Sequence, residues 1–193
     1  MQTGGVMQRT LVERAQAGDH EAFGDLVAVS YRRLYGIANL ILRDPDRAQD
    51  AVQEALVLAW RHMRALRDAD AWDAWLYRLT VRSCYKTARN ARRRDVIELH
   101  VEPDLDPVAI ADASWSVDER DRLNRALDRL PLDQRAVMVL HFYVDLPLSE
   151  AAAVLGIPVG TAKSRLHRGL EAMRFVMRVE PEARLRLAPE RPL

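Results

Sequence analysis

Apolar residues recur along this chain at steps of three and four, and nowhere alternate with polar ones in a convincing strand. The pattern predicts an all-α protein. A short helix is expected around Thr10 to Ala17, stopped at Gly18, with Asp19 placed to cap the next. That second helix runs to about Leu42 and gathers Phe23, Leu26, Leu34, Ile37 and Ile41 on one face. After the break Arg43-Asp44-Pro45-Asp46, a third helix, about Asp46 to Leu66, buries Ala48, Val52, Ala55, Ala59 and Met63 and turns Asp50, Gln53 and Glu54 outward. A fourth begins near Ala71 and ends in Arg92-Arg93-Arg94; Trp75, Leu76 and Leu79 are its expected core, with Trp72 and Tyr85 partly open. The period is lost from Asp95 to about Val117 and returns in Leu123, Ala126, Leu127 and Leu130, then in Val137, Leu140 and Val144. Two small helical domains follow, 8–94 and 118–177, joined by a linker at 95–117 and trailed by a tail at 178–193, frayed apart from a turn of helix at Ala183 to Leu187.

The stretch Pro147 to Arg174 has the grammar of a helix-turn-helix, making the second domain a four-helix unit. Ser149 is expected to cap a short helix kept narrow by Ala151 and Ala152, and Gly156 to end it. Pro158 and Gly160 punctuate the turn, and a second helix starts near Thr161. Its Ala162, Leu166, Leu170 and Met173 form one apolar stripe, while Thr161, Ser164, Arg165 and Arg168 share another face. Hydroxyls and guanidiniums in that register suit phosphates and guanine edges in a DNA major groove. Alone, the motif leaves open a regulator whose N-terminal part senses a ligand or a phosphorylated partner.

Charge sharpens the picture through its distribution rather than its sum, which is only +1. Seven bases and no acid lie between Arg78 and Arg94; eight acids and neither Lys nor Arg lie between Asp95 and Glu119. Such segregation speaks of partners. Cys84 is the only cysteine, which rules out an intrachain disulfide and a cysteine metal cage, and the five histidines are scattered. No metal or cofactor is expected. The absence of a Gly-rich phosphate loop, a nucleophile elbow or a His/carboxylate cluster argues against an enzyme. With no apolar run of roughly twenty residues and no apolar signal core, membrane insertion is not expected, and a cytoplasmic protein is.

Three segments together resemble the bacterial RNA polymerase sigma factors of the extracytoplasmic-function (ECF) group, over about residues 20 to 175. These are DRAQDAVQEALVLAWRH from Asp46, WDAWLYRLTVRSCYKTARNARRR from Trp72, and LDRLPLDQRAVMVLHFYVDLPLSEAAAVLGIPVGTAKSRLHRGLEAMR from Leu127. The resemblance implies a factor that binds core RNA polymerase and directs promoter recognition, melting and initiation. It implies polymerase docking by Asp50, Gln53 and Glu54. It assigns the minus-ten element to Trp72, Arg78, Arg82, Tyr85, Lys86 and Arg89, with Leu66 to Trp72 as a base-holding loop, and the minus-thirty-five element to Thr161, Lys163, Ser164, Arg165 and Arg168. An anti-sigma protein is implied as a second partner. Arg82 and Lys86 stand where the family usually has asparagine and aspartate, adding positive charge at the strand to be opened. Gly169 replaces the usual alanine, at about 1 kcal/mol of helix propensity, and predicts a weaker far half of the recognition helix.

Overall fold

The structure is a computed structural model that describes residues 3–95 and 117–187. The linker at 96–116 and the last residues of the tail lie outside the described residues. The described chain is helical throughout: α1 (Thr3–Gln16), α2 (His20–Leu42), α3 (Pro45–His62), α4 (Trp72–Asp95), α5 (Val117–Asp128), α6 (Leu132–Met138), α7 (Leu148–Leu155) and α8 (Val159–Leu187).

Local chemistry sets most of these boundaries. The Asp19 carboxylate accepts from the amides of Glu21 and Ala22 and starts α2. Arg43 turns left-handed to end it, and the Asp44 carboxylate then accepts from the Arg47 amide, with Pro45 in the first turn of α3. Helix α1 begins at Thr3, earlier than its apolar pattern, and ties down the loop before α4: Gln16 Nε2 donates to the Leu66 carbonyl at 2.6 Å. Helix α6 widens at Val139–Tyr143 into a π turn, in which the Val144 amide reaches back five residues to the Val139 carbonyl at 3.1 Å. Asp145 leaves that turn with φ 65°, a conformation that Asp tolerates better than most residues.

Two expectations about helix ends are corrected. Ser149 does not cap α7. Pro147, extended at φ −51° and ψ 145°, precedes a helix that already starts at Leu148, so Ser149 sits inside the first turn. And α8 does not stop near Met177 but runs to Leu187, taking in Pro181. Gly156, by contrast, ends α7 as expected, left-handed at φ 66°.

The first four helices bury an aromatic and alanine-rich core. Ala48, Val52, Ala55 and Ala59 lie fully buried along α3, so the helices around it approach closely. The α4 tryptophans exchange the roles expected of them. Trp72 is fully buried, its ring edge-on to Phe23 at 6.4 Å, while Trp75 is half-buried 5.8 Å beyond it. The first turn of α4 docks under α2, which places Trp72 deepest.

The two helical units are not separate bodies. Leu34, Ile37 and Ile41 of α2 and Leu140, Val144 and Val154 of the C-terminal half belong to one continuous apolar core. Gly36 is part of the reason: a Cβ there would run into the Tyr143 hydroxyl and lie 2.7 Å from its Cζ, so the glycine gives the end of that side chain its room against α2. Beside this fit, Arg43 Nε donates to the Asp128 carboxylate at 2.6 Å, with the Arg43 side chain only 8 % exposed.

Candidate nucleic-acid interface

Arg82, Tyr85, Lys86 and Arg89 follow one another at steps of three, one and three along α4, so they share a face of that helix. That face forms one wall of an open groove of about 1020 Å³; Leu132, Asp133, Val154, Ile157 and Arg165 are among the residues of the opposite wall. Six basic side chains line it against a single carboxylate, Asp133, over an apolar floor. A cleft of this composition favours a polyanion that also offers flat apolar surface, which describes an unstacked nucleic-acid strand.

Asp133 organises the middle of the groove. It pairs with Arg165 of α8 at 2.7 Å and takes a hydrogen bond from the Tyr85 hydroxyl of α4. Burial, reinforced by Asp133, pushes the Tyr85 phenol well above its ordinary value of 10.0. Lys86 is engaged as well, by the Glu54 carboxylate of α3. The extra charge expected at this position is therefore partly neutralised within the molecule. Glu54 and Lys86, assigned to different partners from sequence, are partners of each other here.

The remaining residues divide cleanly. Lys163, Ser164 and Arg168 are exposed on α8; the Ser164 hydroxyl donates to the Gly160 carbonyl at 2.9 Å, leaving its lone pairs outward. Thr161 and Arg165 are half-buried. Asp50 and Gln53 are exposed on α3. Arg78 is half-buried, away from the groove lining. Trp72, expected to be partly open to a base, has no exposed surface in this conformation. Asp133 was missed as a functional candidate; its signal was present, since it is the one acid in the LPLDQR run just ahead of the helix-turn-helix.

Gly169 also changes meaning. A Cβ at this position would lie 2.7 Å from Sδ of Met138, so the glycine lets α8 approach α6 closely. What reads as a weak point of the helix from propensity alone is a place where α8 lies close against α6.

Residues 26–94 match the family model for sigma-70 region 2, and residues 120–173 that for sigma-70 region 4. The chain is 34 % identical over 152 residues to the ECF RNA polymerase sigma factor SigM of Mycobacterium tuberculosis, covering 79 % of this chain and 75 % of SigM. It is 33 % identical over 177 residues to the ECF RNA polymerase sigma-E factor of Escherichia coli, covering 86 % and 91 %.

The chain belongs to the ECF RNA polymerase sigma factors.

Its work as a sigma factor is promoter-specific initiation of transcription with RNA polymerase. Among solved structures, the sigma factor RpoE in complex with the anti-sigma factor NepR from Bartonella quintana aligns with a TM-score of 0.67 at 25 % identity, over 81 % of this chain and 97 % of that one. CnrH in complex with the cytosolic domain of CnrY aligns with a TM-score of 0.64 at 26 % identity, over 89 % and 97 %. Neither matched region is a catalytic family, and no helix among the described residues of this sigma factor is long and apolar enough to cross a membrane.

Proposed function

We propose that the sigma factor divides its labour between the two matched regions, 8–94 and 118–177 in our reading, as follows. The exposed Asp50 and Gln53, with Glu54, offer an acidic strip on α3 that docks on a basic surface of core RNA polymerase. Arg82, Tyr85, Lys86 and Arg89 take the opened minus-ten strand: the bases hold phosphates, and the Tyr85 ring supports an unstacked base. Arg78 adds to the field of that helix. Trp72 supports the site from the core, as the floor under the loop from Leu66, rather than touching DNA. Thr161, Lys163, Ser164, Arg165 and Arg168 read the minus-thirty-five element from α8 in the major groove.

The protein needs no cofactor and no catalytic chemistry of its own, because the polymerase supplies the reaction. Its place of work is the cytoplasm, where polymerase and promoter are, and an anti-sigma protein is its regulatory partner. The observation that carries this reading is the pairing of a basic, apolar-floored face on α4 with an exposed polar face on a helix-turn-helix. Run-off transcription from genomic fragments with purified core polymerase tests it. Discrete transcripts that need the protein support the assignment. Tight duplex binding by the protein alone, with no transcript and no association with core polymerase, would point instead to a conventional regulator.

A further inference from the structure

Helix α1 lies ahead of the segment that matches region 2, which begins at residue 26, and none of the promoter assignments above uses it. Yet its last residue reaches the loop between α3 and α4. Gln16 is half-buried, and its Nε2 donates to two main-chain carbonyls, Leu66 at 2.6 Å and Met63 at 3.3 Å. Both acceptors are carbonyl oxygens, so only the amide nitrogen can face them. They bracket the tight turn Met63–Ala65, in which the Leu66 amide closes back on the Met63 carbonyl at 3.2 Å. Further along the same loop, Arg9 of α1 pairs with Asp70 at 2.9 Å.

The helix that makes these ties is itself firmly seated. Val12 and Ala15 are buried in the core. Arg14 donates through Nε and Nη2, at 2.9 and 2.6 Å, to the Asp19 carboxylate that caps α2. Gln16 therefore reaches out from a fixed joint. The loop has little shape of its own. Met63 and Leu66 are buried, but Arg64, Arg67, Asp68 and Asp70 are exposed, and its remaining bonds run from the Asp70 and Ala71 amides to Asp68. Such a segment takes its rigidity from what it is tied to.

Building on the assignment of Leu66 to Trp72 as the base-holding loop, we propose that Gln16 is a positioning residue for minus-ten specificity. It fixes the main chain of the loop from outside the matched region, and so sets how sharply one base is told from another without touching DNA. Discrimination needs donors and acceptors that do not yield to the wrong base, and a supporting hydrogen bond supplies that stiffness. Attraction of phosphates to the arginines of α4 is long-ranged and tolerates a loose loop. Specificity and affinity should therefore separate when Gln16 is changed. The Arg9–Asp70 pair is exposed on both sides and adds less.

The test uses Gln16→Met, which keeps the length of the side chain and removes both donated bonds. Holoenzyme formed with core polymerase transcribes a promoter recovered by run-off, randomised at its minus-ten positions. Preference for the favoured base should fall about tenfold, within what one mismatched position costs. Binding of the free chain to a scrambled single strand, and its salt slope, should not move. In the free chain, hydrogen exchange at the Leu66, Asp70 and Ala71 amides should quicken about fivefold, the factor to which the net worth of one hydrogen bond corresponds. Val12→Ala is the control, because it loosens buried α1 and leaves both ties in place. It should lower the melting temperature and keep the base preference. Should Gln16→Met not fold, judged by circular dichroism, Gln16→Asn, whose amide is one carbon short of the loop, is read in the same way. Unchanged base preference overturns the proposal, as does unchanged exchange in the loop. An equal loss of preference in Val12→Ala overturns it too, by reducing Gln16 to ordinary support. Failure of the wild type to direct any transcript would instead strike the promoter assignments, leaving exchange to judge whether α1 fixes the loop.

Discussion

Helices α4 and α8 are both basic and both assigned to DNA, yet the fold treats them differently. On α4, Arg82, Tyr85, Lys86 and Arg89 all line the groove, with Tyr85 bonded to Asp133 and Lys86 to Glu54. On α8, Lys163, Ser164 and Arg168 face outward, and only Arg165 is drawn into the groove. A helix that grips a melted strand presents aromatic and apolar surface, which is costly to leave bare; a helix that reads an intact major groove presents mainly hydrogen-bonding groups, which water satisfies. The fold draws the Tyr85 ring partly under cover and leaves Arg82, Lys86 and Arg89 exposed around it, whereas on α8 the face exposed at Lys163, Ser164 and Arg168 is polar throughout.

Substitutions on and around the two helices should break this contrast to very different degrees. Trp72→Ala should do most, costing about 3–5 kcal/mol of stability, because α4 is anchored there by a fully buried indole. Chemical denaturation would show it; an unchanged midpoint with weakened minus-ten binding would restore Trp72 to the DNA surface. Arg165→Ala should weaken minus-thirty-five binding by about 1–3 kcal/mol and relax specificity at a contacted base. Isotherms on matched and scrambled duplexes at several salt concentrations check this, since a residue touching phosphate alone would weaken both duplexes alike.

Gly169→Ala should destabilise by about 1 kcal/mol, crowding at Met138 outweighing the gain in helix propensity. In a Met138→Ala background the same change should stabilise, a reversal that a double-mutant cycle reads directly. Glu54→Gln releases Lys86 from an ion pair with about half of the lysine side chain exposed, so stability should move by at most about 0.5 kcal/mol. Single-strand affinity should rise modestly, and more at low salt.

The smallest effect is a pH dependence. Tyr85 titrates above 10.0 when folded, so beyond that pH the unfolded chain gives up its proton while the folded chain keeps it. Stability should then fall as pH rises past 10.0, and show no Tyr85 dependence below it. Tyr85→Phe should flatten that slope in thermal melts; Tyr77, also raised by burial, supplies a remainder.

Much of this architecture was legible in the chain because helical period and capping are local. Asp19, Pro45 and Gly156 each act on residues within a few positions, and each does what its chemistry predicts. The errors share a different origin. Trp72 and Trp75 lie three residues apart on one side of α4, and periodicity does not say which sits deeper. Gly169 reads as a propensity defect until Met138 is seen against it. Arg43 and Asp128 are 85 positions apart, and no local pattern announces such a pair. For the site, residue types and spacing revealed the two faces, but not that one carboxylate would join them.

The glycine beneath the Tyr143 ring has a bearing on how such factors diversify. Grafting the C-terminal half onto the front half of a relative would keep this contact unchanged only where the recipient also has glycine at that spot; a larger residue would push the end of the Tyr143 side chain aside. Hybrids between such halves would thus differ in how closely their two parts fit, before any difference in promoter preference comes into play.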